Sequence, residues 1–473
     1  MKALRDKVTG DVHTLCISDP WGSARLSKWT AVVGRCMLVG MSNSMGSVIP
    51  RSATLALNEA INARRAAGQD ILHLGFGEAG LPVLPEVAAA LAQGAMENSY
   101  TPVAGTVAAR EAAARYLSRR GLRTSAEQII LAPGSKALLY AAVAALPGDV
   151  VLPVPSWVTY PAQIGMIGKR AIGVPIPRIA GGVPDPDLFE AALGAARKEG
   201  ADPRILILTV PDNPTGTIAG ADLIGRVCEI ADRHGMSIIC DEIYRDLAYD
   251  PEAMRSPATM LPERTIVTGG LSKSMALGGW RIGFLRTPPG PAGQQLAERI
   301  TGLGSEVWSC LAAPMQAAAT FAFDAPAAVT AHIAASRRLH ATVARAAHAI
   351  FMKAGIACRP PQAGFYLYPD LEPHRSTLSA RGIETSIALA DHLLDEYGIG
   401  VLAGAHFGDV QESLRFRAAT SLLYGRTTDQ RWEALHSADP TSLPWISAAL
   451  DRLHTAVQSL ASPVPSAVAR SHG

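Results

Sequence analysis

Short, continuous apolar runs alternate with stretches of helical spacing through the middle of the chain. The runs fall at residues 128–132 (QIILA), 150–152 (VVL), 205–210 (ILILTV), 237–240 (SIIC) and 265–268 (TIVT). Each predicts a strand buried on both faces, and together they predict a mostly parallel sheet covered by helices on both faces. The segments between them are long enough for crossover helices, and 136–146 has the spacing of one. Residues 53–67 also have helical spacing, closed by Gly68. Beyond about residue 330 the pattern changes. A long helical stretch, 327–354, starts after Pro326, and strand-like segments follow at 364–368 and 414–418. The expected class is α/β. A large domain is expected over 85–330, and a smaller α+β domain is built from both chain ends, 51–84 and 331–460. Residues 1–50 read as an N-terminal extension with Met41 and Met45 as alternative starts, and 461–473 as a mobile tail.

Composition narrows the function. Hydrophobic residues are 48% and charged residues 18%, which suits a folded protein rather than a disordered one. The net charge of +2 gives no electrostatic reason to expect nucleic acid or an anionic membrane as partner. Cys16, Cys36, Cys228, Cys240, Cys310 and Cys358 form no C-x-x-C pair and no zinc spacing, so no metal is expected and the thiols read as reduced. The nearest approach to a signal segment, 31–41, is interrupted by Arg35. A cytoplasmic protein is the expectation.

Polar residues follow the apolar runs. Gly134–Ser135–Lys136 comes after the first, Asn213–Pro214–Thr215–Gly216 after 205–210, Asp241–Glu242 after 237–240, and Gly270–Leu271–Ser272–Lys273 after 265–268. In open α/β sheets ligands bind at the carboxyl ends of strands. Lysines are few, and Lys273 stands where burial would lower its pKa and make its amine nucleophilic. Arg281 follows eight residues later, within Gly278–Gly279–Trp280–Arg281–Ile282–Gly283.

The stretch 270–283 (GLSKSMALGGWRIG) resembles the lysine signature of the class I/II aminotransferases, fold-type-I enzymes that use pyridoxal 5′-phosphate (PLP). The other motifs stand in that family's order, over about residues 51–458. The resemblance implies that Lys273 carries PLP as a Schiff base and that Arg281 grips its phosphate. Gly134, Ser135 and Lys136 would form the phosphate loop at a helix N-terminus, with Ser272 in support. Trp157, in Pro155–Ser156–Trp157–Val158–Thr159–Tyr160, would stack on the pyridine ring. Asn213 and Tyr244 would bind the cofactor's 3-oxygen, and an ionised Asp241 would pair with the ring nitrogen to keep it an electron sink. Tyr100 would reach the phosphate of a neighbouring subunit, making the protein a homodimer with shared sites. Arg415 and the Gly77 backbone N–H would hold the substrate carboxylate, alongside Asn213. Lys273, Asp241 and Tyr244 form the implied catalytic set.

Three departures bear on this reading. Gly270 replaces a common Ser or Thr three positions before the lysine. Gly77–Glu78–Ala79–Gly80 replaces the usual Gly-Glu-Pro-Asp. Arg417, on the same strand face as Arg415, replaces a small residue and either extends the carboxylate site or makes a local salt bridge. Residues 424–443 read as an insertion. The implied activity is transamination between an α-amino acid and a 2-oxo acid. A PLP-dependent lyase, cyclising synthase or oxidase is the alternative, because the pocket selects the path. A DNA-binding regulator built on the same fold lacks its basic N-terminal module here. The substrate side chain stays open.

Overall fold

A computed structural model of the chain describes residues 51–463. The expectations for 1–50 and for the tail beyond Pro463 lie outside the described residues. The strands, in chain order, are β1 (Leu72–His73), β2 (Ile129–Pro133), β3 (Asp149–Val154), β4 (Ala171–Pro175), β5 (Pro203–Thr209), β6 (Ser237–Asp241), β7 (Thr265–Gly270), β8 (Ile282–Arg286), β9 (Tyr366–Leu367), β10 (Ile399–Gly400), β11 (Leu402–Ala403) and β12 (Phe416–Ala419).

Seven of them form one sheet in the order β2-β8-β7-β6-β5-β3-β4. All neighbouring pairs from β4 to β7 are parallel, and β8 runs antiparallel to both β7 and β2. The apolar runs mark five of these strands. The other two, β4 and β8, contain Gly173 and Gly283 and lack a continuous apolar signature.

The double burial follows from strand alternation. On β5, Ile205 and Ile207 enter one core with Leu138, Leu139, Ile164 and Ile300. Leu206 and Leu208 enter another with Phe189, Leu193, Ile224 and Val227. Each such side chain contributes roughly 1.5–3 kcal/mol. The covering helices carry the matching spacing. Helix Ala221–Arg233 buries Ile224, Val227, Cys228 and Ala231. Helix Pro186–Lys198 begins at Asp185, whose carboxylate accepts the Asp187 N–H, with Pro186 at its first position.

Leu74 and Leu81 share a further core with Leu339, Phe351, Leu367, Leu389, Phe416 and Leu453. β1 pairs in parallel with β10, and a second small sheet has the order β11-β12-β9. Helices Ala327–Lys353, Ser386–Tyr397 and Pro444–Ala461 supply most of that core. Among the described residues no helix is long and apolar enough to cross a membrane.

Candidate active site

The carboxyl edge of the large sheet gathers the polar residues. β2 ends at Gly134 and opens helix Ser135–Ala145, β6 ends at Asp241, and β7 leads into the short helix Leu271–Ser274 that carries Lys273. β8 enters from the opposite direction, which brings Arg281, the residue before it, to the same edge.

Lys273 donates to the carbonyl of Gly77, and its Nζ lies 6.0 Å from the Tyr244 ring centroid. Its pKa is pushed down to about 8, first by burial and then by Arg417. Arg281 acts in the same sense, while Glu78 and Asp241 oppose. The amine is thus held closer to its neutral, nucleophilic form. Asp241 is buried and accepts from Tyr160 Oη (3.1 Å), Thr268 Oγ1 (3.3 Å) and Ile243 N (3.3 Å). Burial raises its pKa to about 6, against those hydrogen bonds and Lys273. A cation beside it would favour the ionised state further. Tyr244 Oη meets Tyr366 Oη at 2.8 Å, and burial holds the Tyr244 phenol well above its usual range.

Gly134, Lys136 and Arg281 form a cationic cradle. Gly134 has φ +86°, and a Cβ there would collide with the Arg281 guanidinium. Arg281 itself has φ +58° and donates to Gly278 O (2.9 Å). A Cβ on Gly283 would strike Ser135 N and the Gly134 backbone, so strand β8 approaches this turn only as glycine. Lys136 Nζ is 5.1 Å from the Trp157 ring centroid, and its pKa is lowered by burial and then by Arg281. Two cations that repel each other at a helix N-terminus suit a phosphate. Trp157 meets Tyr160 edge-on at 5.3 Å. One short chain of contacts therefore joins the cradle to Asp241. Ser272 is half-buried, and its hydroxyl makes no hydrogen bond among the described residues.

Arg415, just before β12, and Arg417, within it, have different partners. Arg415 donates to Asp370 Oδ2 (2.9 Å) and Asp409 Oδ1 (3.3 Å), and Tyr368 Oη also binds Asp409 (2.6 Å). Burial opposes its charge, but the two carboxylates outweigh burial and raise its pKa. The local salt bridge belongs to Arg415, and its guanidinium is engaged by acids rather than by Asn213. Arg417 is held by neutral groups instead. It is 1% exposed, donates to Asn213 Oδ1 (2.9 Å) and Gly75 O (2.8 Å), and lies 4.6 Å from the Tyr366 and 5.0 Å from the Phe407 ring centroid. It has no carboxylate partner among the described residues, and its Nε has no hydrogen-bond partner. Both arginines face one side of a strand, so spacing alone could not rank them. The acids at 370, 45 positions away, and 409, six positions away, distinguish them.

The departures have structural causes. A Cβ on Gly270 would sit 2.5 Å from Ile282 O, so β8 excludes a larger residue there. Gly80 has φ +64° and a Cβ would meet Ser421 O, while Ser421 donates to Glu78 O and Ala79 is fully buried beside Tyr244 and Tyr366. The Gly77 N–H makes no hydrogen bond among the described residues, and a Cβ there would collide with Tyr366 Oη. Tyr100 is 90% exposed and joins none of these contacts. Tyr160, Thr268 and Tyr366 are site residues that the motifs did not mark. Tyr160, three positions after Trp157, is the one that a helical-turn argument could have found.

Residues 69–422 match the family model described as aminotransferase class I and II. An aspartate aminotransferase of Geobacillus stearothermophilus is 30% identical over 401 residues, covering 81% of this chain and 95% of the relative. An aspartate/prephenate aminotransferase of Cereibacter sphaeroides is 29% identical, covering 80% and 94%. Among solved structures, the aspartate aminotransferase from Thermus thermophilus with maleate superposes with a TM-score of 0.70 at 24% identity, over 82% of this chain and 95% of that one. The aspartate aminotransferase from Rhizobium meliloti gives 0.69 at 25% identity, over 86% and 97%.

Proposed function

Since the chain belongs to the class I and II aminotransferases, we propose that it moves an amino group between an α-amino acid and a 2-oxo acid with PLP as cofactor. The observation that carries this reading is Arg417. A buried guanidinium without a carboxylate is costly unless an anion completes it. It stands close enough to Lys273 to depress that residue's pKa. A substrate α-carboxylate is the anion that fits, and a paired donor fork fixes the orientation of the Cα–H bond.

The residues present fit the cofactor. Gly134, Ser135, Lys136 and Arg281 offer a cationic cradle for its phosphate, with Ser272 on the adjoining turn. Trp157 stands beside the cradle to cover one ring face. Asp241, raised by burial, is stabilised as a carboxylate by a protonated ring nitrogen. Asn213 gives its Oδ1 to Arg417, which leaves its amide N–H groups for the 3-oxygen, with Tyr244 in the same role. Lys273 would hold the cofactor's aldehyde. When bound, PLP supplies a sink for the electrons released as the Cα–H bond breaks. The Lys273 amine, neutral more readily than an ordinary lysine, would take the Cα proton and pass it to the aldehyde carbon of the cofactor, C4′. Arg417 and the free Gly77 N–H keep the carboxylate in place during that transfer.

The exposed Tyr100 side chain is available to the phosphate site of a second copy, which supports a homodimer. The relatives' names make aspartate with 2-oxoglutarate the first substrate pair to test. Cys228, Cys240 and Cys358 are buried free thiols, which supports a reducing, cytoplasmic setting.

Lys273→Ala is expected to abolish transamination while the variant still binds some PLP. Turnover at the wild-type rate in that variant would overturn the reading. So would wild-type protein that consumes single amino acids continuously without any 2-oxo acid.

A further inference from the structure

Residues 424–443, an insertion by sequence, lie beyond the family match, which ends at 422. They fold as helix Thr428–His436 and the turn Pro440–Ser442, with Ala434 and Leu435 buried against helix Ala327–Lys353. A cavity of about 360 Å³ opens between the two helices. Arg337, Arg338 and Arg345 line it from the long helix and His436 from the insertion, and no Asp or Glu lines it.

None of the three arginines makes an ion pair or a side-chain hydrogen bond among the described residues. Arg345 is placed by the Tyr249 ring, 5.3 Å from its centroid. Arg338 and Arg345 are two helical turns apart, about 10.5 Å along the axis, on one face. Asp439, beside Pro440 of the lining, is not itself part of it, and its Oδ1 accepts the Thr441 N–H (3.1 Å) and hydroxyl (2.6 Å). Like charges gathered on a concave wall without counter-charge focus a positive potential that an anion relieves. Arg338 and Arg345 are exposed and water satisfies them in the free protein, so a ligand that bridges the three guanidinium forks across two turns must carry several anionic groups.

We propose that this cavity binds a small polyanion, a metabolite bearing two or more phosphoryl or carboxyl groups, at a site separate from the catalytic one. The wall also connects to the catalytic region. Tyr249 donates to Gly364 O (2.9 Å), next to Phe365 and the Tyr366 that packs on Arg417.

The test is calorimetric titration of the PLP-saturated protein with inorganic pyrophosphate and, separately, citrate, repeated in Arg417→Ala, which removes the catalytic carboxylate site and should leave this binding in place. Expected is saturable binding of at least one probe, one per chain, weakening as salt rises. Binding of pyrophosphate alone would identify the ligand as phosphorylated, and of citrate alone as a polycarboxylate. The double variant Arg338→Gln/Arg345→Gln should bind at least about tenfold more weakly, with transamination rate and melting temperature unchanged. Should that variant melt early, Arg337→Gln serves in its place with the same expected direction. No saturable binding of either probe by wild-type protein up to about 10 mM, or unchanged affinity in a folded variant, would overturn the proposal.

Discussion

Asp241 ends β6 and Lys273 follows the adjacent strand β7 on a short helix, whereas Arg415 lies just before β12 and Arg417 within it, two residues apart. The first two are charges weakened by burial, one pushed down to about 8 and the other up to about 6. The second two are identical cations in opposite settings. Arg415 has two carboxylates, and Arg417 has an amide oxygen, a carbonyl and two aromatic faces. The contrast separates structural charge from available charge. A cation already neutralised by acids has little left to offer a ligand, while a buried one held only by neutral groups is stabilised when an anion arrives.

Removing the available charge should have the largest effect. Arg417→Ala is expected to lower kcat/KM by about 10²–10³, the range for truncating one side of a buried charge pair. The loss should appear mainly as weakened binding of the amino acid and of carboxylate inhibitors. Steady-state kinetics and inhibitor binding measure it. A large loss in Arg415→Ala with a small one in Arg417→Ala would reverse the assignment.

Asp241→Asn comes next. It keeps the shape and removes the charge expected beside the ring nitrogen, so kcat should fall by about 10² with the spectrum of bound PLP altered. The same variant tests the pKa directly in protein without cofactor. The folded-state pKa is raised from 3.8 to about 6, so between those values the folded protein holds a proton that the unfolded chain has released. The contribution of Asp241 to stability therefore falls as pH rises through that window, by at most about 1.4 kcal/mol per unit. Buried Asp212, raised to about 7, acts in the same sense, whereas His73, His332 and His340, pushed down by burial, act in the opposite sense, and all four stay in the variant. The melting temperature of Asp241→Asn should therefore gain on that of wild type as pH rises from about 4 to about 6. A difference between the two proteins that does not change with pH would mean that Asp241 is not the group titrating.

The smallest effect on activity is expected for Arg415→Ala, within about threefold in kcat/KM, because the residue sits among acids rather than on the substrate. Its cost is in stability instead. Asp370 and Asp409 lose their counter-charge, and since Arg415 is a third exposed, about 1–3 kcal/mol is expected. Denaturant unfolding measures it.

Much of the carboxyl edge is legible along the chain because each element there carries its own punctuation. An apolar run that stops at Asn213, at Asp241 or before Lys273 places that residue at a strand end, whatever the rest of the protein does. β8 is less legible. Its glycine is required by the Ser135 backbone 148 positions away, and no local rule reveals that. Tyr160 and Thr268 are hidden for the same reason, since their role is a hydrogen bond to a strand neighbour. β12 is the extreme case, in which two candidates share a face and a residue type.

The chain by itself determined the parallel core of the sheet, the order of its polar strand ends and the place of Lys273 among them, because continuous apolar runs and the residues that break them act over short range. Only the tertiary structure decided which arginine is paired with acids and which with neutral groups, and why glycine stands at 270 and 283. Those answers depend on acids and backbone atoms that approach from remote parts of the sequence, where packing rather than periodicity sets the partner.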